Sequence, residues 1–366
     1  MTAALEEEFV FMRLVRLTLC CLISLSVLGV SAQSAAEDDC PESQFTTWGA
    51  SGVVTPGDSN NVRAEPSTDA ALVGRVAAGD PFNVLYDHIA CADGYLWREI
   101  VNLTVQGWTV ERAADGGDPF IVPYEPELRE VGQRTDDGSV RVEESGIAFT
   151  VPAALGYSAV TALPEVGLFG DVMSAQPSSI VFSFLNENGD ARGEIEIYPY
   201  AISRAAYEYS QYPELETLLA EQPSLLEYSA RNRMPQLPIS GVAALFGGAG
   251  AYVPFGSGSG LRFITYFAQM GVLFRPDTTF EYLYRGITSD QAFFVTAQNF
   301  GVKIPAGTIP ANGNLADELY ARYLRQFEAN LAAQPTNAFT PDLALLDAIF
   351  TSLTVTDNEA LLQLIP

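Results

Sequence analysis

Few residues in this chain are equipped for covalent chemistry. The only histidine, His88, stands three positions before Cys91. A Cys–His pair needs a free thiolate with the imidazole as its base, whereas the cysteine usage described below gives Cys91 a disulfide. One histidine also removes most zinc sites, so neither a metal nor a cofactor is expected. The segment FGSGSG, Phe255 to Gly260, lacks Gly-x-Ser-x-Gly spacing and would have to recruit His88 from a separate part of the chain. A flexible hairpin connection is the expectation there. Lys303, the only lysine, has no serine three residues before it, and no Gly-x-x-x-x-Gly-Lys run exists. Ser–Lys catalysis and P-loop nucleotide binding therefore lose support.

Carboxylates and aromatic rings remain. Glu194 and Glu196 alternate with Ile195 and Ile197, which puts both acids on one strand face. Glycoside hydrolysis needs two carboxyls at a controlled separation. With 45 acidic residues such pairs arise by chance, and a solvent-facing role is expected. Asn186, Asn188 and Asp190 have the alternate spacing of part of a calcium loop without its distal glutamate, which favours a hairpin turn. Trp97, Trp108, Tyr86 and Tyr95 offer an apolar face for a sugar ring or a peptide, although alternating aromatics also serve as core. The row Leu319, Tyr323 and Phe327 reads as the sheet-facing side of a helix.

The elements that hold these residues follow from composition. The 366 residues suffice for two domains, since single cores stop growing at roughly 250 to 300 residues. Apolar content of 48%, with 21 Phe and 16 Tyr, allows burial to outweigh ordering entropy. The 45 acidic and 19 basic residues leave a net charge of -26, which repels nucleic acid and anionic lipid headgroups. The plain reading of that charge is solubility.

At the N-terminus, Arg13 and Arg16 precede an apolar run from Leu17 to Val30, and Val30-Ser31-Ala32 fits a cleavage site. Residues 1–32 therefore read as a secretory signal. Its true start is expected at Met12, because the preceding MTAALEEEFVF carries three acidic residues. An uncleaved anchor is the competing reading, but about 14 apolar residues fall short of the roughly 20 that span a bilayer. Cys20 and Cys21 do not follow the small residues that lipidation requires. After cleavage no stable membrane span is expected, and residues 33–47 form a polar leader.

Cys40 and Cys91 then remain, and export places them where cysteines pair. Closing a loop of that length would stabilise the fold by about 4 kcal/mol on the chain-entropy model. Two free thiols are the alternative. From about Trp48 to Arg112, turn signals at Pro56-Gly57, Pro66-Ser67, Gly79-Asp80 and Asp93-Gly94 separate runs rich in Val, Leu and Ile. Several short strands at such spacing suggest a small barrel. Val62 and the alternating Phe82, Val84 and Tyr86 should face inward. Gly74, Gly79 and Gly107 should serve bulges and corners.

Asn61, Val62, Arg63, Pro66, Ser67, Val73, Gly74, Val76, Gly79, Phe82 and Val84 occur in the order of the bacterial SH3-like (SH3b) domain. Trp97, Ile100, Gly107, Trp108 and Val110 match that family's closing half. On these residues, 48–112 resembles an SH3b domain over about a sixth of the chain. The insertion DHIACADGY is longer than the family's usual turn, and Cys91 within it could clip to Cys40.

Residues 113–140 mix Gly, Pro and charge and read as a linker, partly ordered around Phe120 to Tyr124. Residues 141–357 form the second domain. SGIAFTVP alternates like a strand, and SIVFSFLNENGDARGEIEIYPY reads as a hairpin turning at Asn188-Gly189. A helical stretch interrupted by Pro213 and Pro223 follows over 203–233. Next come the strands GAYVPF, SGLRFITYFAQM, FEYLYRGIT and QAFFVTAQ. Helices close the chain at 315–333 and 341–352, the latter capped by Thr340 with Pro341 in its first turn. RFITYFAQM, YRGITSDQAFFVTA and PDLALLDAIFTSLTV resemble an uncharacterised C-terminal module of exported bacterial proteins. The last of them is also faintly similar to the PsbP-like fold.

The expected fold is thus multi-domain: a small all-β SH3-like barrel followed by an α+β antiparallel-sheet sandwich. The expected function is that of an exported, non-enzymatic binding protein of the cell envelope. Its SH3b domain would engage peptidoglycan or an envelope protein. The alternative is an envelope glycan hydrolase using carboxylates of the second domain.

Overall fold

The computed structural model describes residues 40–46, 50–55, 59–102, 104–165, 167, 177–206, 211–229, 234–237, 243–311, 313 and 315–365. The signal reading of 1–32, residues 33–39 and Trp48 lie outside these. The chain divides into two units, 1–40 and 41–366, and of the first only Cys40 is described. Cys40 and Cys91 are joined in a disulfide. No described helix is long and apolar enough to cross a membrane.

The chain is rich in antiparallel strands. Seven of them form the first sheet: β1 (Ser51–Val54), β2 (Asn60–Arg63), β3 (Leu72–Val76), β4 (Pro81–Ala92), β5 (Tyr95–Val101), β6 (Gln106–Ala113) and β7 (Ile121–Pro123). Their order is β3-β2-β6-β5-β4-β1-β7. Val62, Val76, Phe82, Val84 and Ile100 bury one face of it, as period-two alternation requires. Gly107 is needed where β6 crosses β2, since a Cβ there would lie 2.5 Å from the Arg63 carbonyl oxygen. Gly79 holds a turn at φ 85°.

Three features depart from the sequence reading. The alternation breaks after Val84, where pairing with β5 jumps from Val84–Ile100 to Ile89–Arg98, so Tyr86 falls in a bulge of β4. DHIACADGY is mostly strand: β4 runs to Ala92 and turns into β5 over Asp93-Gly94, both at positive φ, the geometry of a two-residue hairpin. Finally, residues 40–46 are more than a leader. Phe45 is 3% exposed and packs in the core. Ser43 Oγ and Gln44 N donate to the buried Glu111 carboxylate at 2.6 and 2.7 Å.

The stretch 113–140 is also strand-bearing. β7 pairs with β1, and Ile121 is wholly buried beside Val54. β8 (Arg129–Glu130) and β9 (Gly132–Arg134) join two further sheets. Short apolar positions decide this: Ile121 gains more from burial than a flexible linker would from its entropy.

Those sheets are completed by β10 (Val140–Glu144), β11 (Ile147–Val151), β12 (Ala159–Glu165), β13 (Ser179–Leu185) and β14 (Ala191–Pro199). Next come α1 (Tyr200–Ala206), α2 (Tyr212–Glu221), α3 (Leu225–Ser229), β15 (Ala243–Ala244), β16 (Gly248–Tyr252) and β17 (Gly258–Thr265). β18 (Phe267–Ala268), β19 (Phe280–Thr288), β20 (Phe293–Val302), α4 (Asp317–Ala332), α5 (Leu343–Ser352), β21 (Thr354–Val355) and α6 (Asn358–Leu364) finish the chain. The eight-stranded sheet runs β16-β17-β19-β20-β14-β13-β12-β8, and the four-stranded one runs β21-β11-β10-β9.

One face of the large sheet packs Phe182, Ile195, Tyr282 and Val295 against the small sheet, α4 and α5. The other face packs Leu261, Phe263, Leu283 and Phe294 against α2. The 188–189 hairpin and the paired β19–β20 form where turn chemistry places them. Pro213 does not interrupt a helix but starts α2, where its missing N–H costs nothing. The last long helix is capped by Asp342, whose carboxylate accepts from Ala344 N at 2.9 Å. Thr340 instead pairs its backbone with Lys303, which postpones the helix start.

Candidate functional site

The outer face of the first sheet carries the aromatic residues. Trp97 lies opposite Val110, and Glu99 opposite Trp108, so these four share one face, and Arg63 joins them opposite Trp108. Near the β4–β5 turn this face forms a shallow cleft of about 180 Å³ lined by Asn60, Asn61, Arg63, Tyr95, Trp97 and Phe120. Tyr95 stands edge-on to Trp97 and to Phe120, with ring centroids 6.4 Å apart in both pairs.

The cleft is held from several sides. Trp97 forms its floor at 1% exposure, with its indole N–H donating to Ala92 O at 3.0 Å. Arg63 is braced by its bond to Ala70 O at 2.6 Å, and Asn60 Nδ2 by Val110 O at 2.9 Å. Thr68, on the rim, donates both its N–H and its hydroxyl to Asp93. The Thr68 N–H, with the Ser67 and Thr68 hydroxyls, holds the Asp93 carboxyl below its usual range. Rigid rings with a fixed guanidinium and amides suit stacking against a flat or ring-shaped group and pairing with an acceptor or carboxylate.

Of the four aromatic residues singled out from sequence, the structure brings Tyr95 and Trp97 together. Trp108 lies on the same face outside the cleft, half-buried and stacked on His88 at 6.4 Å between centroids. Tyr86 is in β4, and its side chain lies outside the described residues. Phe120 and Arg63 were missed as site residues. Phe120 sat in a stretch read as linker, and the visible signal for Arg63 was its place opposite inward-facing Val62.

The covalent candidates are otherwise engaged. Cys91 is in its disulfide, and His88 Nδ1 contacts Glu99. The FGSGSG segment bridges β16 and β17, and Ser257 Oγ accepts from Val355 N at 3.0 Å. Asn186 Oδ1 accepts from the backbone of Asn188 and Asp190, which makes a hairpin turn. No group of three or more metal-binding side chains occurs among the described residues.

Glu194 and Glu196 do share a face, but it is not open to solvent as expected. Glu196 is 7% exposed and accepts from Tyr198 and from Gln298 Nε2 at 2.5 Å, while Asn299 donates to Glu194 at 2.7 Å. The face is covered because Tyr198 and Phe294 on the same strands pack under α2, which alternation alone does not reveal. Burial raises the Glu196 carboxyl, and Glu165 and Glu194 add repulsion. Arg285 in the same face is drawn down to about 10 by burial, with Glu196 opposing that shift.

A carboxylate in α4 gives a pH test. Burial lifts Glu328 to about 7 against the opposing bond from Gly247 N at 3.1 Å. Folding therefore favours its protonated form, which adds nothing unfavourable below about pH 4.5 and costs stability as pH rises through 7. Between pH 4.5 and 8 the loss should be about 2 to 3 kcal/mol, allowing for partial screening. Glu328→Gln keeps the acceptor for Gly247. Urea unfolding at both pH values should show the wild-type slope reduced by that amount, and an unchanged slope would refute the assignment.

Compared with known proteins, the chain matches no protein-family model, no curated protein and no solved structure.

Proposed function

We propose that the first sheet is an SH3-like binding module of an exported, non-enzymatic protein, and that its cleft engages peptidoglycan or another envelope component. The single observation that carries this reading is the convergence of Tyr95, Trp97 and Phe120 with Arg63 and Asn60 in one braced concavity. Ligand sites combine apolar and aromatic walls with a few placed polar groups in this way. The order of Asn61, Val62, Arg63 and the Gly107-Trp108 strand adds support for the module, and the apolar run before Ala32 adds support for export.

Retention of the mature chain on purified peptidoglycan tests it. Tyr95→Ala and Arg63→Ala, both at the cleft surface, should each lower retention about tenfold, since a stacked ring or a paired guanidinium contributes on the order of 1 to 2 kcal/mol. Trp108→Ala should leave retention within about twofold. Equal retention of all three variants, or none by the wild type at low salt, would overturn the proposal.

A further inference from the structure

The turn that joins β2 to β3, residues 64–71, supplies Thr68 to the lining of the first-sheet cleft, while Tyr95 enters that lining from the start of β5. In the sheet β2 and β5 are not neighbours, because β6 lies between them. No ladder of backbone bonds therefore sets the distance between this turn and the β4–β5 hairpin. Apolar packing does little to set it either, since none of residues 64–71 is buried.

One side chain sets it. Asp93 Oδ2 accepts from Thr68 N at 2.7 Å, from Ser67 Oγ at 2.8 Å and from Thr68 Oγ1 at 3.0 Å. Among the described residues, no other hydrogen bond or ion pair joins residues 64–71 to anything beyond β2 and β3. Their remaining bonds are internal to that hairpin, such as Arg63 to Ala70 O and Ala64 N to Ala71 O. Asp93 is fixed in turn by its place in the chain. With Gly94 it makes the two-residue turn from β4 into β5, at φ 52° and 78°, and Tyr95 follows directly. The carboxylate thus bridges the turn that carries Thr68 and the hairpin that carries Tyr95, without itself lining the cleft.

We propose that Asp93 is the positioning residue of the cleft: its carboxylate latches the 64–71 turn to the hairpin tip, and the cleft binds only while that latch is closed. The inference rests on the binding reading given above and adds how that site is controlled. Asp93 touches no ligand, so its loss lowers the fraction of molecules whose cleft is formed, and apparent affinity falls by that fraction.

Two variants separate the latch from the turn. Asp93→Gly removes the carboxylate and keeps the hairpin, because Gly-Gly accepts positive φ at both positions; Asp93→Asn keeps the hairpin and one neutral acceptor. Circular dichroism should be unchanged in both. The first readout needs no ligand: hydrogen exchange of the Thr68 amide, followed by nuclear magnetic resonance, should be about tenfold faster in Asp93→Gly and intermediate in Asp93→Asn. The second is retention of the mature chain on peptidoglycan, which should fall about fivefold in Asp93→Gly, with Asp93→Asn recovering part of the loss. Ser67→Ala, outside the cleft lining, should weaken retention on its own and add nothing to Asp93→Gly. It also decides the matter with Asp93→Asn if the glycine variant misfolds. The proposal is overturned if Thr68 exchange is the same with and without the carboxylate, or if the wild type is retained and Asp93→Gly is retained equally. A wild type that is not retained overturns the binding reading instead, and Thr68 exchange then decides the latch by itself.

Discussion

Truncating Phe45 to alanine should destabilise the first sheet by about 3 to 5 kcal/mol, the usual range for emptying a buried aromatic site. Phe45 lies six residues before the first strand, yet its ring fills space that Gly52 leaves open. A Cβ at Gly52 would come within 2.9 Å of the Phe45 ring and 2.7 Å of Phe82. The Arg98 guanidinium sits 5.8 Å from the ring centroid and also donates to the Phe45 carbonyl. Burial lowers the Arg98 pKa while Glu111 opposes the shift, so the plug, the arginine and the buried acid support one another.

Guanidinium unfolding followed by tryptophan fluorescence reads this directly, because Trp97 and Trp108 lie in the same sheet. Gly52→Ala should reproduce part of the loss by overpacking, about 1 to 3 kcal/mol. A Phe45→Ala loss below about 1 kcal/mol would show that residues 40–46 contribute nothing to the core.

Asp347→Ala should cost a comparable amount in the large sheet, about 3 to 5 kcal/mol, because it strands buried partners. Asp347 accepts from Arg262 Nε at 3.2 Å and from the Tyr282 hydroxyl at 2.9 Å. Arg262 is 5% exposed and Tyr282 is fully buried, so neither finds water when the carboxylate is lost. These bonds tie α5 to β17 and β19 across the interface where Phe350 stacks on Tyr284 at 3.8 Å. Asp347→Asn keeps an acceptor for Tyr282 and should lose roughly half as much. The double change Arg262→Met with Asp347→Leu should recover most of the loss, since apolar residues of similar size replace a buried pair at little cost. Thermal unfolding of the three variants checks the ranking. Equal Tm for Asp347→Ala and wild type would mean that the pair contributes nothing.

Local patterns carried much of this fold. Asp93-Gly94 sets its hairpin because a two-residue turn demands positive φ from both residues, whereas the loop between Asn186 and Asp190 is one residue longer and needs positive φ only at Gly189. The β19–β20 pair and the two long C-terminal helices were equally visible, since their apolar periods repeat over nine or more residues. Cap identity was less so: Thr340 read as the helix starter, but its backbone pairs with Lys303 and Asp342 caps the helix instead.

What the chain alone determined, then, was which segments extend, turn or coil, together with the shared face of Glu194 and Glu196. Only the tertiary structure decided that Phe45 and Ile121 complete a core from outside the recognisable strands. It likewise decided that Glu196 is covered, that Leu319 is exposed, and that Phe120 and Arg63 meet Tyr95. The reason is range: backbone preference depends on neighbours a few residues away, whereas burial depends on which distant side chain arrives to exclude water.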